Sequence, residues 1–158
     1  GAMAAILGET HPDLFAAVGV HSGLAAGAAR DLPSALGAMK SGGARAGRHA
    51  SGMPTIVFHG DADSTVHAAN GAHVIAASTA SSTKVETQHG KASGGRAYTR
   101  SLHRDAAGQV VAEHWLVHGA PHAWAGGSAR GSYTDARGPD ASAEMVRFFL
   151  AHPRARAH

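Results

Sequence analysis

An α/β layer sandwich with a mostly parallel sheet is the fold class this sequence predicts, and three observations carry it. Two short, continuous apolar runs, at 16–20 and 53–58, have the pattern of strands buried on both faces. Segments with helical spacing precede, separate and follow them. Alternating segments at 98–103 and 110–118 flank Asp105-Ala106-Ala107-Gly108, which reads as a hairpin turn. The order helix, strand, helix, strand, helix, hairpin, helix is that of a layered α/β domain.

Each element has a local reason. Met3, Ile6 and Leu7 stand at helical spacing, and that first helix stops before His11-Pro12. Asp13-Leu14-Phe15 leads into the strand at 16–20. A short helix is expected over 32–39 and a loop rich in Gly, Ala and Arg over 41–52. The second buried strand, 53–58, is followed by a helix over 66–80 and a polar, irregular stretch over 81–95. After the hairpin, 126–138 reads as a loop. Asp140 is a good N-cap for a last helix, with Glu144 near its positive end and Met145, Val146, Phe149 and Leu150 as its apolar stripe.

Composition narrows the function. At 158 residues the chain reads as one domain able to bury roughly 70% of its unfolded surface. Aromatics are 5% while hydrophobics are 44%, so small side chains and close backbone contacts make the core. The net charge of +3 comes from scattered residues, with only Arg154 and Arg156 as a short basic tail and no interleaved aromatics, so no nucleic-acid partner is expected. No apolar run is long enough to span a membrane. The absence of cysteine excludes disulfides and thiolate sites.

Two strand-end motifs stand out. His59-Gly60-Asp61-Ala62-Asp63-Ser64-Thr65-Val66 closes a buried strand and presents acids in a turn. Gly119-Ala120-Pro121-His122-Ala123-Trp124 follows another strand and presents a histidine. Asp63 also suits the cap of the helix expected from Val66, and Asp61 competes with it for either role. Among 13 histidines, His114, His118 and His122 recur every fourth residue. On a strand that spacing separates side chains by about 13 Å, so no metal site and no cofactor are expected from them.

With these residues in hand, the chain resembles the polyhydroxybutyrate-depolymerase-like esterases of the α/β-hydrolase superfamily. The matching segments are Pro12 to Val18, His21-Ser22-Gly23, Pro54 to Asp63, His122-Ala123-Trp124, Gly131 to Asp135 and Gly138 to Ser142. The resemblance implies a three-layer sandwich and a serine–aspartate–histidine triad acting on a carboxylic ester, in a secreted or periplasmic protein. It makes Asp63 the acid that orients the ring, and His122 the base and then the acid.

Trp124 would line the substrate pocket or pack as a rim aromatic on the last helix. Ser22 falls one place late for a Gly-x-Ser-x-Gly elbow and would be a hydrogen-bonding residue at the site floor. Family members continue from that elbow into Gly-Ala-Met-Ala, the residues with which this chain opens; Gly1-Ala2-Met3 is also what a cleaved tag leaves. The expectation is the C-terminal part of such an esterase. Its partners would be an ester substrate and either an N-terminal complement or a second copy.

Overall fold

The computed structural model describes residues 1–43, 51–80 and 83–154. Most of the loop expected over 41–52 and Arg156 of the basic tail lie outside the described residues. The elements run α1 (Ala2–Thr10), β1 (Val18–His21), α2 (Leu32–Ser41), β2 (Thr55–Gly60), α3 (Ala69–Ser78), β3 (Lys84–Lys91), β4 (Ala97–Arg104), β5 (Val110–Val117), β6 (Trp124–Ala125), β7 (Thr134–Asp135) and α4 (Ala141–Ala151).

Five strands form one sheet in the order β1-β2-β5-β4-β3, and β6 pairs with β7 apart from it. β1, β2 and β5 are mutually parallel, β4 is antiparallel to β5, and β3 is antiparallel to β4. Four of the five strands therefore point one way, and β4 alone is reversed. The molecule is a mixed α/β fold with a mostly parallel sheet.

Apolar side chains cover both faces of that sheet. Ile56, Phe58, Trp115 and Val117 pack with Met145 and Phe148 of α4 on one face. Val18, Val20, Val57 and Ala112 pack with Val74 and Ile75 of α3 on the other, where Ala4 and Ala5 of α1 join them. Alternate residues of one strand thus serve different layers, as a period of two requires. The small-residue core has a direct correlate in Gly8, where any side chain would overlap Val18, so α1 lies close against β1.

The structure corrects four expectations. The stretch expected to be irregular over 81–95 holds β3, paired residue for residue with β4. Its side chains are almost all exposed, so no apolar alternation marks it; backbone pairing and the Glu86–Arg104 ion pair at 3.1 Å hold this charged edge.

The loop expected over 126–138 contains β7, pinned by Asp135, whose carboxylate pairs with Arg96. The helix expected over 66–80 is shorter. Residues 63–68 are turns, because Asp63 holds the Val66 amide and His59 holds the Val66 carbonyl.

In α4 the buried face is Ala141, Met145 and Phe148, whereas Val146, Phe149 and Leu150 are exposed. The Asp140 cap is as expected, its carboxylate accepting from the Ala143 amide at 3.0 Å.

Candidate active site

The site stands where two parallel strands end side by side. Gly60 of β2 is in register with Val117 of β5, so the turns after them emerge together. They are stitched by backbone bonds from Asp61 N to Val117 O at 3.2 Å and from Ala62 N to Ala120 O at 3.2 Å. This close approach needs a glycine at 60, since a side chain there would overlap the Ala120 carbonyl oxygen.

Asp63 and His122 meet across these turns. His122 Nδ1 lies 2.8 Å from Asp63 Oδ2. The other carboxylate oxygen accepts from the Val66 amide at 2.8 Å and the Thr65 amide at 2.9 Å. Both sequence readings of Asp63 are therefore met at once: one oxygen closes the turn and the other holds the ring. Burial pushes the Asp63 carboxyl up, but the Val66 amide, the His122 ring and the Thr65 amide outweigh it and hold it below the ordinary carboxylate value. An ionised Asp63 accepts the hydrogen bond from Nδ1–H, so in this tautomer Nε2 of His122 carries the lone pair. Among the described residues nothing hydrogen-bonds that nitrogen, and the His122 side chain is 39% exposed.

Asp61 makes a separate pair. Its Oδ2 lies 2.8 Å from His118 Nδ1 and its Oδ1 accepts from the Gly119 amide at 2.6 Å. His118 Nε2 is engaged by Thr99 Oγ1 at 2.9 Å, which also meets His89 Nδ1 at 3.2 Å. His114, the third of the regularly spaced histidines, points into the sheet's α3 face. The three rings thus go to three different surroundings.

Ser22 follows β1 directly, adopts the left-handed region at φ 49° and is buried. Such a conformation is uncommon for a residue with a side chain and is held here by the Ser22 amide bonding the Phe58 carbonyl at 2.9 Å. Ser22 Oγ meets His21 Nδ1 at 3.1 Å and makes no hydrogen bond to His122. Gly1, at the head of α1, packs its backbone against Gly23 and the His21 carbonyl. The positive end of α1 is therefore directed at this strand end.

His21 is a site residue that sequence reasoning missed. Its ring stacks between Phe58, at 5.9 Å, and Trp124, at 4.8 Å. Nε2 accepts from the Ala125 amide at 2.9 Å, which anchors the segment just after His122. Burial above all drops this ring to about 4; the nearby His59 and His122 act in the same direction, and Asp63 opposes them. Its only sequence signal was its place beside Ser22 at a strand end. Trp124 turns one face to His21 and donates from Nε1 to Ser142 Oγ on α4 at 3.1 Å.

A mixed α/β sheet that presents a buried aspartate and an exposed histidine at neighbouring strand ends is a scaffold for acid–base chemistry. The family described as Esterase PHB depolymerase matches the chain over residues 1–101, and the chain belongs to that family. The match includes Asp63, whereas His122 and Trp124 lie beyond it. No curated protein is similar enough to the chain to count as a match.

Proposed function

We propose that the protein hydrolyses carboxylic esters with a serine–histidine–aspartate triad on an α/β-hydrolase sandwich, of which this chain is the C-terminal part and supplies Asp63 and His122. The observation that carries the reading is the 2.8 Å bond from His122 Nδ1 to the buried Asp63, with His122 Nε2 open to a reacting group. Membership of an esterase family supports it. The nucleophile would precede Gly1, in the Gly-x-Ser-x-Gly elbow that the Gly1-Ala2-Met3-Ala4 resemblance points to.

The chemistry follows from the tautomer. Nε2 takes the proton of the serine as its oxygen attacks the ester carbonyl, and Asp63 stabilises the imidazolium that forms. Nε2 then protonates the departing alcohol, leaving an acyl-enzyme. Water enters, His122 removes its proton, and the acid is released. No cofactor has a part in this sequence. The substrates would be hydroxyalkanoate polyesters or their oligomers, or feruloyl or acetyl esters of polysaccharide, met outside the cytoplasm. No helix among the described residues is long and apolar enough to cross a membrane.

The test is p-nitrophenyl butyrate turnover by the chain extended through its upstream elbow. His122→Ala should lower kcat by orders of magnitude with little change in KM. Retention of kcat in that variant would refute the assignment.

A second reading has its own observation. Met3, Ile6 and Leu7 of α1 are exposed, and among the described residues β1 pairs on one side only. On this reading the chain is a non-catalytic part or interaction module that folds with its missing half.

A further inference from the structure

β6 carries Trp124 and Ala125 just after His122, and it belongs to a ribbon apart from the five-stranded sheet. Two amides of this segment bond within that ribbon. Trp124 N donates to the Tyr133 carbonyl at 2.8 Å and Gly126 N to the Asp135 carbonyl at 2.9 Å. The Ala125 amide between them goes elsewhere, to Nε2 of His21 at 2.9 Å. A side chain thus stands where a neighbouring strand would offer a carbonyl, and it ties the ribbon to the end of β1.

The state of the His21 ring follows from its partners. A backbone N–H only donates, so Nε2 is the bare nitrogen and Nδ1 gives its proton to Ser22 Oγ at 3.1 Å. Burial keeps the ring neutral, as an acceptor must be. Phe58 lies within 8° of parallel to it on one side and Trp124 within 23° on the other. The acceptor is therefore aimed by contacts other than the bond it accepts.

His122 hangs between two fixed points. Upstream, the Ala120 carbonyl accepts from the Ala62 amide at 3.2 Å. Downstream, His21 holds the Ala125 amide. Between them, among the described residues, the backbone bond is a local one, from Ala123 N to the Pro121 carbonyl at 2.8 Å. The Ala125 side chain is buried in the core on the α4 face, so packing keeps the segment folded without the His21 bond. What the bond adds is the placement of that segment against the strand end.

We propose that His21 is a positioning residue for the acid–base pair: through the Ala125 amide and the stacked Trp124 it fixes the His122 ring on Asp63. Its effect on turnover rests on the esterase reading; the link between the two rings does not.

Two substitutions separate the acceptor from the ring. His21→Phe keeps a flat ring between Phe58 and Trp124 and removes the acceptor, whereas His21→Gln removes the ring and supplies an amide oxygen near the place of Nε2. In the protein extended through its upstream elbow, His21→Phe should lower kcat about ten- to hundredfold with KM changed less than about twofold, as a slightly misplaced acid–base group does. His21→Gln should recover most of that loss.

The 158-residue chain gives a readout that needs no substrate. Nitrogen NMR of the wild type should show His21 protonated at Nδ1 and bare at Nε2. The His122 Nδ1–H signal should shift or broaden in His21→Phe and return in His21→Gln. The opposite His21 tautomer, an unchanged His122 signal or kcat in folded His21→Phe, or a loss that His21→Gln does not recover would overturn the proposal. The tautomer is read even if both variants fail to fold. Retention of kcat in His122→Ala sinks the esterase reading instead and leaves the NMR result to stand or fall by itself.

Discussion

Asp61 and His118 lie 2.8 Å apart, a second aspartate–histidine pair one turn away from Asp63 and His122. The two pairs differ in ways that matter for chemistry. The Asp61 side chain is 38% exposed and that of Asp63 fully buried. A buried carboxylate interacts with its ring in a low dielectric, whereas an exposed one is screened. His118 is also occupied at both nitrogens, because Thr99 holds Nε2.

Asp63→Asn should therefore lower kcat of the elbow-containing esterase by orders of magnitude, the ring losing both its tautomer and its counter-charge. Asp61→Asn should cost much less, since an amide can still accept from Gly119. Steady-state kinetics of both variants decide the matter, and a larger loss for Asp61→Asn would reverse the acid assignment.

The 158-residue chain alone should show no saturable turnover of p-nitrophenyl butyrate. Ser22 adopts a positive φ just after β1, yet its hydroxyl meets His21 rather than His122. A saturable rate abolished by Ser22→Ala would make Ser22 the nucleophile.

The rotation of α4 can be checked by truncation. Phe148 is fully buried and Leu150 is 77% exposed. Phe148→Ala should cost about 3–5 kcal/mol and Leu150→Ala no more than about 0.5 kcal/mol in urea unfolding. Similar costs for the two would mean that the helix faces the sheet differently.

Acid should destabilise the fold through His21. Its ordinary value is 6.5 and its folded value about 4, so between them the unfolded chain binds a proton that the native state does not. Stability then falls as pH drops through that window, by roughly 3 kcal/mol in all. Asp63, depressed in the folded state, adds a further loss at lower pH, as its carboxylate is protonated. Urea midpoints from pH 7 to 4 test this, and His21→Gln should remove about one proton's worth of slope. An unchanged slope would mean that the ring titrates normally.

Association should follow from the open side of β1. Leu7, Phe15, Ala17 and Val18 line an apolar recess beside a strand that, among the described residues, pairs with β2 alone. Edges of this kind template pairing with another chain. The chain is expected to self-associate there or to bind an N-terminal complement. Light scattering after gel filtration should show more than a monomer; a dilution-stable monomer with full amide protection in β1 would show that the edge is closed.

The parallel strands, the hairpin and the Asp63–His122 positions were legible because each has a local signature: a continuous apolar run, an alternation, or an acid or ring just past a strand end. β3 had none, because an exposed strand is held by its backbone and its side chains need not alternate. The phase of α4 was misread because Met145, Val146, Phe149 and Leu150 are as periodic as the true buried face. That face is fixed instead by distant contacts, such as the bond of 2.7 Å between His152 and the Val110 carbonyl. His21 was silent for the same reason: its importance lies in what folding brings beside it.

The division of labour between the two oxygens of Asp63 also separates a local contact from a long-range one. One oxygen closes a turn with neighbours two and three residues away, whereas the other waits for a ring 59 residues along the chain. Short loops close in well under a microsecond, while contacts of long sequence separation are slow. The turn at Asp63 needs only neighbouring residues, whereas the bond to His122 needs β5 paired with β2. The Asp63–His122 bond therefore reports on the pairing of β2 with β5, which brings the two strand ends together.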